Sequence, residues 1–179
     1  MMRTALMSAS CWSEGVFKSP HHTACFLAAA SAALLIGAIT MQFGFGVQPC
    51  ELCLWQRIPH LVVLLFAGGV VLAKPRQPWL WVAMCGGILL IGGAIAVFHV
   101  GVEQHWWSGT PRCGVPDTTP ASLEELEQMI MKQPIIRCDN VSWSLFGVSL
   151  AGYNAVLSLS LALSTFGAAW RGQKKQKRQ

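Results

Sequence analysis

Four cysteines in the sequence have the spacing of disulfide or redox pairs. Cys50 and Cys53 form a Cys-x-x-Cys motif between two apolar stretches, while 24 residues separate Cys113 from Cys138 in a hydrophilic stretch. A Cys50–Cys53 disulfide closes a very small ring, which adds little stability because the entropy gain grows with loop length. The motif is therefore more typical of a redox couple, whereas Cys113 and Cys138, taken alone, indicate a structural disulfide.

Metal binding is the competing use of four cysteines. A zinc site of the knuckle type needs a second short pair of cysteines, and the second pair here is far too widely spaced. We therefore expect no metal site.

Arg57 is a single positive charge close to the Cys-x-x-Cys motif. It follows Cys53 by one helical turn, so a helix would place both side chains on one face. The N-terminus of that helix would favour a thiolate at Cys53. An arginine at membrane depth is costly. In a functional role, Arg57 would stabilise this thiolate or donate a hydrogen bond to a carbonyl oxygen of a lipid-soluble ligand. In a structural role, its side chain would extend to the lipid headgroups.

The composition indicates that lipid is the main solvent of the chain. Of its 179 residues, 53% are hydrophobic and 12% are charged, against roughly 25% charged in soluble domains. The net charge of +5 is not concentrated beside aromatic residues, so no nucleic-acid partner is expected. We predict an all-α membrane protein, a four-transmembrane-helix bundle with two periplasmic loops. A span needs about 20 apolar residues, and four stretches qualify: about 23–45, 54–73, 79–100 and 143–170.

The charge distribution predicts the orientation of these spans. With four spans, the leader (1–22), the 74–78 turn and the basic tail (171–179) share one side and hold nine of the thirteen Lys and Arg residues. Six of the eight acidic residues lie in the long loop at about 101–142. Positive charge favours the cytoplasmic side, so both termini are expected in the cytoplasm. The loops at about 46–53 and 101–142, with their cysteines, would face an oxidising compartment in which disulfides persist.

Two further local features are predicted in the second half of the chain. Ser122 and Glu125 have the spacing of a capping box, which predicts a short helix that Pro134 ends. This helix would either lie on the membrane surface or pack on its own loop. Tyr153 and Asn154 in the fourth span are expected to make interhelical hydrogen bonds.

Taken together, these residues resemble a known family. Four spans, Cys50-x-x-Cys53-x-x-x-Arg57 at the start of the second, and a cysteine pair in the long loop are similar to the disulfide bond formation protein B (DsbB) family. The stretch Trp-Ser-Leu-Phe-Gly-Val-Ser-Leu-Ala-Gly-Tyr-Asn at 143–154 adds to the likeness. The resemblance covers about residues 23–170 and leaves out the leader and the tail.

The resemblance implies an enzyme of the bacterial inner membrane. It would reoxidise a DsbA-like, thioredoxin-fold periplasmic protein and pass two electrons to membrane quinone, ubiquinone or menaquinone. Cys113 would form the mixed disulfide with the partner, Cys138 would relay electrons to Cys50, and Cys53 would face the quinone.

The resemblance also implies quinone-site roles for Arg57 and for His99, which ends the third span. From the residues alone, a structural role for His99 is the simpler interpretation. Two other functions remain open: a membrane scaffold whose two disulfides only hold its loops, and an enzyme similar to vitamin K epoxide reductase.

Overall fold

The fold was determined as a computed structural model, which describes residues 17–110, 113, 122–132 and 136–178. It contains five helices and a short hairpin within these residues. In chain order the elements are α1 (Pro20–Phe43), α2 (Glu51–Ala73), α3 (Pro78–Glu103), α4 (Leu123–Lys132), β1 (Ser144–Leu145), β2 (Val148–Ser149) and α5 (Leu150–Gln176).

Four of the described helices, α1, α2, α3 and α5, are long and apolar enough to cross a membrane. Large apolar side chains on their outer surfaces are exposed, among them Leu65 (66%), Ile91 (61%) and Leu163 (70%). In water such surfaces would be unfavourable, whereas lipid solvates them. The protein is therefore a multi-pass, mostly helical membrane protein, as the composition predicted.

Side chains of α2 and α5 pack directly against glycines of α3. α3 makes its most extensive contacts with α5, while α2 packs against both α1 and α3. A Cβ atom at Gly92 of α3 would lie 2.9 Å from Cβ of Pro59, and one at Gly93 would lie 2.7 Å from Leu159. Small residues permit such close approach between membrane helices, so α3 meets α2 and α5 through adjacent glycines.

The start of the fourth spanning helix differs from the sequence prediction. It was expected near Trp143, but α5 begins at Leu150, and the residues before it form an antiparallel hairpin pairing Ser144 with Ser149. Phe146 and Gly147 at its turn both have positive φ, 51° and 77°, as a two-residue hairpin of type I′ requires. Ser149 then caps α5 by accepting from the Gly152 N–H.

α5 also extends further than expected. It continues to Gln176 and so includes most of the basic tail that was predicted to begin at 171. Lys174 and Lys175 lie in its last turn, where positive charge interacts favourably with the helix dipole.

The short loop helix was predicted correctly at its start. The Ser122 hydroxyl accepts from the Glu125 N–H at 3.2 Å, which caps α4 at its N-terminus. Pro134, expected to end this helix, lies outside the described residues, as do residues 1–16 of the leader. Tyr153 was expected to bond another helix; instead its hydroxyl donates to Leu145 O in the hairpin.

Candidate functional site

The Cys-x-x-Cys motif lies at the N-terminus of α2. Cys50 is the N-cap residue, and its sulfur accepts from the Cys53 N–H at 3.4 Å. The two sulfur atoms are 3.3 Å apart and are not bonded to each other. Cys50 is almost fully buried, with 4% of its surface exposed, and Cys53 is half-buried.

The second pair forms a disulfide between Cys113 and Cys138, with Cα atoms 4.7 Å apart. The backbone supports this link, because the Cys138 N–H donates to Cys113 O at 2.8 Å and the Cys113 N–H donates to Thr110 O at 2.7 Å. Beside it, the Arg137 guanidinium forms an ion pair with Asp139. This pair lowers the pKa of the Asp139 carboxyl below its usual value.

The two cysteine pairs belong to one buried cluster. Leu52 and Val102 pack with Cys50 and the Cys113–Cys138 disulfide. The sulfur atoms of Cys50 and Cys138 and a ring nitrogen of His99 all lie within 4.8 Å of one another. Two sulfurs and an imidazole at this spacing are also typical metal ligands, but the Cys138 sulfur is already bonded to Cys113. The arrangement is therefore better suited to exchange between the two pairs.

His99 connects Cys50 to the interior of the bundle. Its Nε2 lies 3.5 Å from the Cys50 sulfur and 3.9 Å from the Glu103 carboxylate. Its Nδ1 accepts from the Gln56 side-chain amide at 2.8 Å. The pKa of the Cys50 thiol lies below its usual value, first because of the hydrogen bond with Cys53 and then because of the His99 ring.

Arg57 extends toward α1. Its Nη1 donates to Gln42 Oε1 at 2.7 Å and its Nη2 to Ala38 O at 3.4 Å. Its Nε is buried and has no hydrogen-bond partner among the described residues. The guanidinium thus bonds within the bundle, whereas the sequence had left open an extension to lipid headgroups.

A cavity of about 450 Å³ brings these groups together. This volume lies in the range of about 300–1,000 Å³ that is typical of small-molecule sites. Apolar residues of α1 and α5 form much of its wall, among them Leu34, Met41 and Leu157. The cavity is also lined by the sequence-predicted residues Cys50, Cys53, Arg57 and His99, and by Gln56, His60 and Asn154.

A chain of hydrogen bonds continues from His99 across the bundle. Gln56 Oε1 accepts from the Asn154 amide at 2.7 Å, and Asn154 Oδ1 lies 2.9 Å from His60 Nε2. Ser158 contributes a hydroxyl to the same group, donating to Asn154 Oδ1 at 3.1 Å. The chain therefore links α3, α2 and α5, and the prediction of interhelical bonds from Asn154 is confirmed.

Gln56 and His60 were not predicted as site residues. The signal was present, since both are polar and lie one helical turn apart in an apolar span, and such residues usually face the bundle interior. The Cys113–Cys138 disulfide, in contrast, joins the very residues that the sequence had paired.

Comparisons with known proteins agree with this architecture. The family model of disulfide bond formation protein DsbB matches residues 20–168. The disulfide bond formation protein B of Psychrobacter sp. (strain PRwf-1) is 30% identical over 80% of this chain and 86% of its own length. That of Haemophilus influenzae is 29% identical over 73% of this chain and 75% of its own. No solved structure matches the chain significantly. The chain belongs to the DsbB family of disulfide bond formation proteins.

Proposed function

We propose that the protein is a membrane thiol:quinone oxidoreductase. It reoxidises a periplasmic DsbA-like dithiol oxidase and passes two electrons to membrane quinone, which supports disulfide bond formation. One observation carries this proposal. The loop disulfide meets the Cys-x-x-Cys motif at Cys50, and the same motif lines an apolar cavity at the start of a spanning helix.

The reaction starts at the loop disulfide. A thiolate of the partner attacks the Cys113 sulfur, which forms a mixed disulfide and releases Cys138 as a thiolate. Cys138 attacks Cys50 of an oxidised Cys50–Cys53 pair and releases the Cys53 thiolate. Each exchange breaks one disulfide bond and forms another. The electrons therefore move toward the cavity without a change in the number of disulfides.

The later exchanges restore the loop disulfide. The second thiol of the partner resolves the mixed disulfide and releases Cys113, which attacks Cys138 and frees Cys50. The dithiol Cys50–Cys53 then returns to a disulfide as two electrons and two protons pass to quinone. The net reaction converts one partner dithiol and one quinone into a partner disulfide and a quinol.

The cavity has the chemistry that a quinone requires. The apolar side chains of α1 and α5 suit its ring and tail, and the buried Arg57 Nε–H is an unsatisfied donor for a carbonyl oxygen. Quinone also supplies the driving force. A DsbA-type couple is strongly oxidising, at about −120 mV, so only an acceptor of higher potential can reoxidise it.

The site also has features that suit a thiolate. Cys50 and Cys53 lie where the helix dipole favours negative charge, and His99 Nε2 faces the Cys50 sulfur at 3.5 Å. We infer that Cys53 is the thiolate that meets the quinone while Cys50 is bonded to Cys138, and that Arg57 and His99, which line the same cavity, contact the quinone. The location that fits this reaction is the bacterial inner membrane, with both termini cytoplasmic and the four redox cysteines periplasmic.

Quinol formation by the purified protein tests this function. The protein is mixed with a reduced DsbA-type partner and with ubiquinone or menaquinone analogues, and the native chain is compared with Cys53→Ser. We expect quinol from the native chain and none from the variant. Cys85→Ser is the matched control, because Cys85 is a free cysteine buried in the core of the bundle; it should retain activity. No quinol from the native chain with either quinone type would favour a scaffold whose disulfides are only structural.

A further inference from the structure

His60 is a buried polar side chain of α2 that the proposed electron path does not use. Only 3% of its surface is exposed, and it lines the cavity. We propose that His60 Nδ1 is the hydrogen-bond acceptor that recognises the reduced ligand, a hydroquinone, through one of its hydroxyl groups. This inference rests on the proposed function, since it names the form of the ligand that the same cavity favours.

The first step of the argument is that Nδ1 is unsatisfied. His60 Nε2 is used by Asn154 Oδ1 at 2.9 Å and by the Ser158 hydroxyl at 3.3 Å. Nδ1 is buried and has no hydrogen-bond partner among the described residues. A buried polar atom without a partner is unfavourable, and His60 lines the cavity, so we assign the missing partner to a molecule that occupies the cavity.

The second step is that the hydrogen-bond chain fixes the tautomer. Gln56 donates its amide N–H to His99 Nδ1, so its oxygen is left to accept from the Asn154 amide at 2.7 Å. The oxygen of Asn154 then faces His60 Nε2. An amide oxygen only accepts, so Nε2 must carry the ring hydrogen. In the neutral ring, His60 Nδ1 therefore carries a lone pair and accepts a hydrogen bond instead of donating one.

The other end of the chain favours the same direction. His99 Nε2 faces the Cys50 sulfur at 3.5 Å and the Glu103 carboxylate at 3.9 Å. The Gln56 amide nitrogen only donates, so His99 Nδ1 accepts and the neutral ring carries its hydrogen on Nε2, facing two groups that can accept it. Each group in the chain from Cys50 to His60 then has one donor facing one acceptor.

The third step is the match between acceptor and ligand. The two oxygens of a quinone are carbonyl acceptors and offer nothing to a second acceptor, whereas a hydroquinone carries two O–H donors. Arg57, whose buried Nε–H is an unsatisfied donor, lies three residues before His60 on α2, and its side chain lines the same cavity. The ring oxygens of a hydroquinone can satisfy both, since a hydroxyl donates to one group and accepts from the other. The cavity should therefore bind the hydroquinone, which can bond both Arg57 and His60, more tightly than it would if His60 Nδ1 made no contact with the ligand.

Two substitutions at this position separate the ligand contact from the structural one. In His60→Gln the longer side chain places its amide where Nε2 was and can still bond Asn154, but nothing replaces Nδ1. In His60→Asn the shorter side chain places its oxygen near Nδ1 and loses the bond to Asn154. Ser158→Ala is the control, because it removes a hydroxyl beside Nε2 and leaves Nδ1 unchanged.

The test is calorimetric binding of a short-chain hydroquinone, and separately of its quinone, to the purified full-length chain under anaerobic conditions. All variants are made in a Cys53→Ser background, which prevents electron exchange between the ligand and the Cys-x-x-Cys motif. We expect His60→Gln to weaken hydroquinone binding about tenfold, as the loss of one hydrogen bond in a buried site would. Quinone binding should change much less, and His60→Asn and Ser158→Ala should retain hydroquinone affinity.

Three results would overturn the inference: an unchanged hydroquinone affinity in His60→Gln, equal losses for quinone and hydroquinone, or no hydroquinone binding by the parent chain. A loss of affinity in His60→Asn that parallels a loss of thermal stability would assign His60 a structural role instead. Binding is measured without turnover, so a chain that binds hydroquinone selectively but forms no quinol would refute the proposed function and leave this inference standing.

Discussion

The sulfur atoms of Cys50 and Cys138 lie within 4.8 Å of each other, although one caps a spanning helix and the other belongs to the disulfide of the long loop. A disulfide bond is about 2.05 Å long, so only a small movement separates this arrangement from a bond between the two pairs. The proposed exchange between the two cysteine pairs would therefore need no rearrangement of the helices.

This proximity predicts a specific crosslink. When Cys53 and Cys113 are both replaced by Ser, we expect Cys50 and Cys138 to form a disulfide on mild oxidation. Mass spectrometry of peptides from unreduced protein would identify it. The complementary variant, which keeps only Cys53 and Cys113 of the four, is the control. An equal yield of crosslink in the control would contradict the assignment of Cys50 as the receiving cysteine.

The environment of Cys50 predicts the pH dependence of its reactivity in the reduced protein. Its hydrogen bond with Cys53 and the His99 ring hold its pKa below the usual value. A lowered pKa means that the thiolate persists to lower pH, so alkylation of Cys50 should have its midpoint below that of an ordinary thiol. In His99→Leu the pKa should rise and the midpoint should move to higher pH.

Peptide fragmentation can assign the alkylation to Cys50 and exclude Cys53 as its site. The exposed His105 supplies the matched control, because His105→Leu changes a nearby histidine that does not bond Cys50. Equal midpoints in His99→Leu and the native chain would show that the imidazole does not stabilise the thiolate.

Arg57 predicts a change in quinone affinity. Arg57→Met should raise the KM for quinone about tenfold, equivalent to about 1.4 kcal/mol, because the charged donor that we propose for the carbonyl oxygen would be lost. Steady-state quinone reduction measures this. Gln42→Leu removes the partner of Nη1 but keeps the charge, so its KM should rise less. A KM for quinone that is the same in Arg57→Met and the native chain would show that Arg57 does not contact the quinone and has only a structural role, through its bonds with α1.

The contact between α2 and α3 predicts a stability difference between two glycines. Gly92→Ala places a methyl group against the rigid ring of Pro59, and overpacking of this kind typically costs about 1–3 kcal/mol. Gly87→Ala on the same helix meets nothing within 4 Å and should be neutral or stabilising. Thermal unfolding in detergent compares the two, and a Tm for Gly92→Ala equal to that of Gly87→Ala would be inconsistent with the packing described.

The spanning helices could be predicted because their signal is local. A long apolar stretch must form a helix in lipid, where backbone groups need internal partners, and α2 ends at Ala73 as expected. The hairpin before α5 was missed for the same reason. Leu145, Phe146 and Val148 are apolar enough to extend the span, and only the turn at Phe146–Gly147 separates them from it.

The site was predictable only in part. The spacing of Cys50, Cys53 and Arg57 within a single helix identified three residues that line the cavity. Gln56 and His60 acquire their roles from partners on other helices, His99 and Asn154. Nothing in the local sequence specifies those partners, because they depend on how the helices are arranged around each other.

The hydrogen-bond chain from His99 to His60 also limits how this protein can change over evolution. Each amide in it uses its oxygen on one neighbour and its nitrogen on another, so the chain has a polarity that every member must respect. Replacing one member alone leaves an unsatisfied group on another helix. Positions 56, 60, 99 and 154 should therefore covary among relatives, and the residues accepted at one position should depend on those already present at the other three.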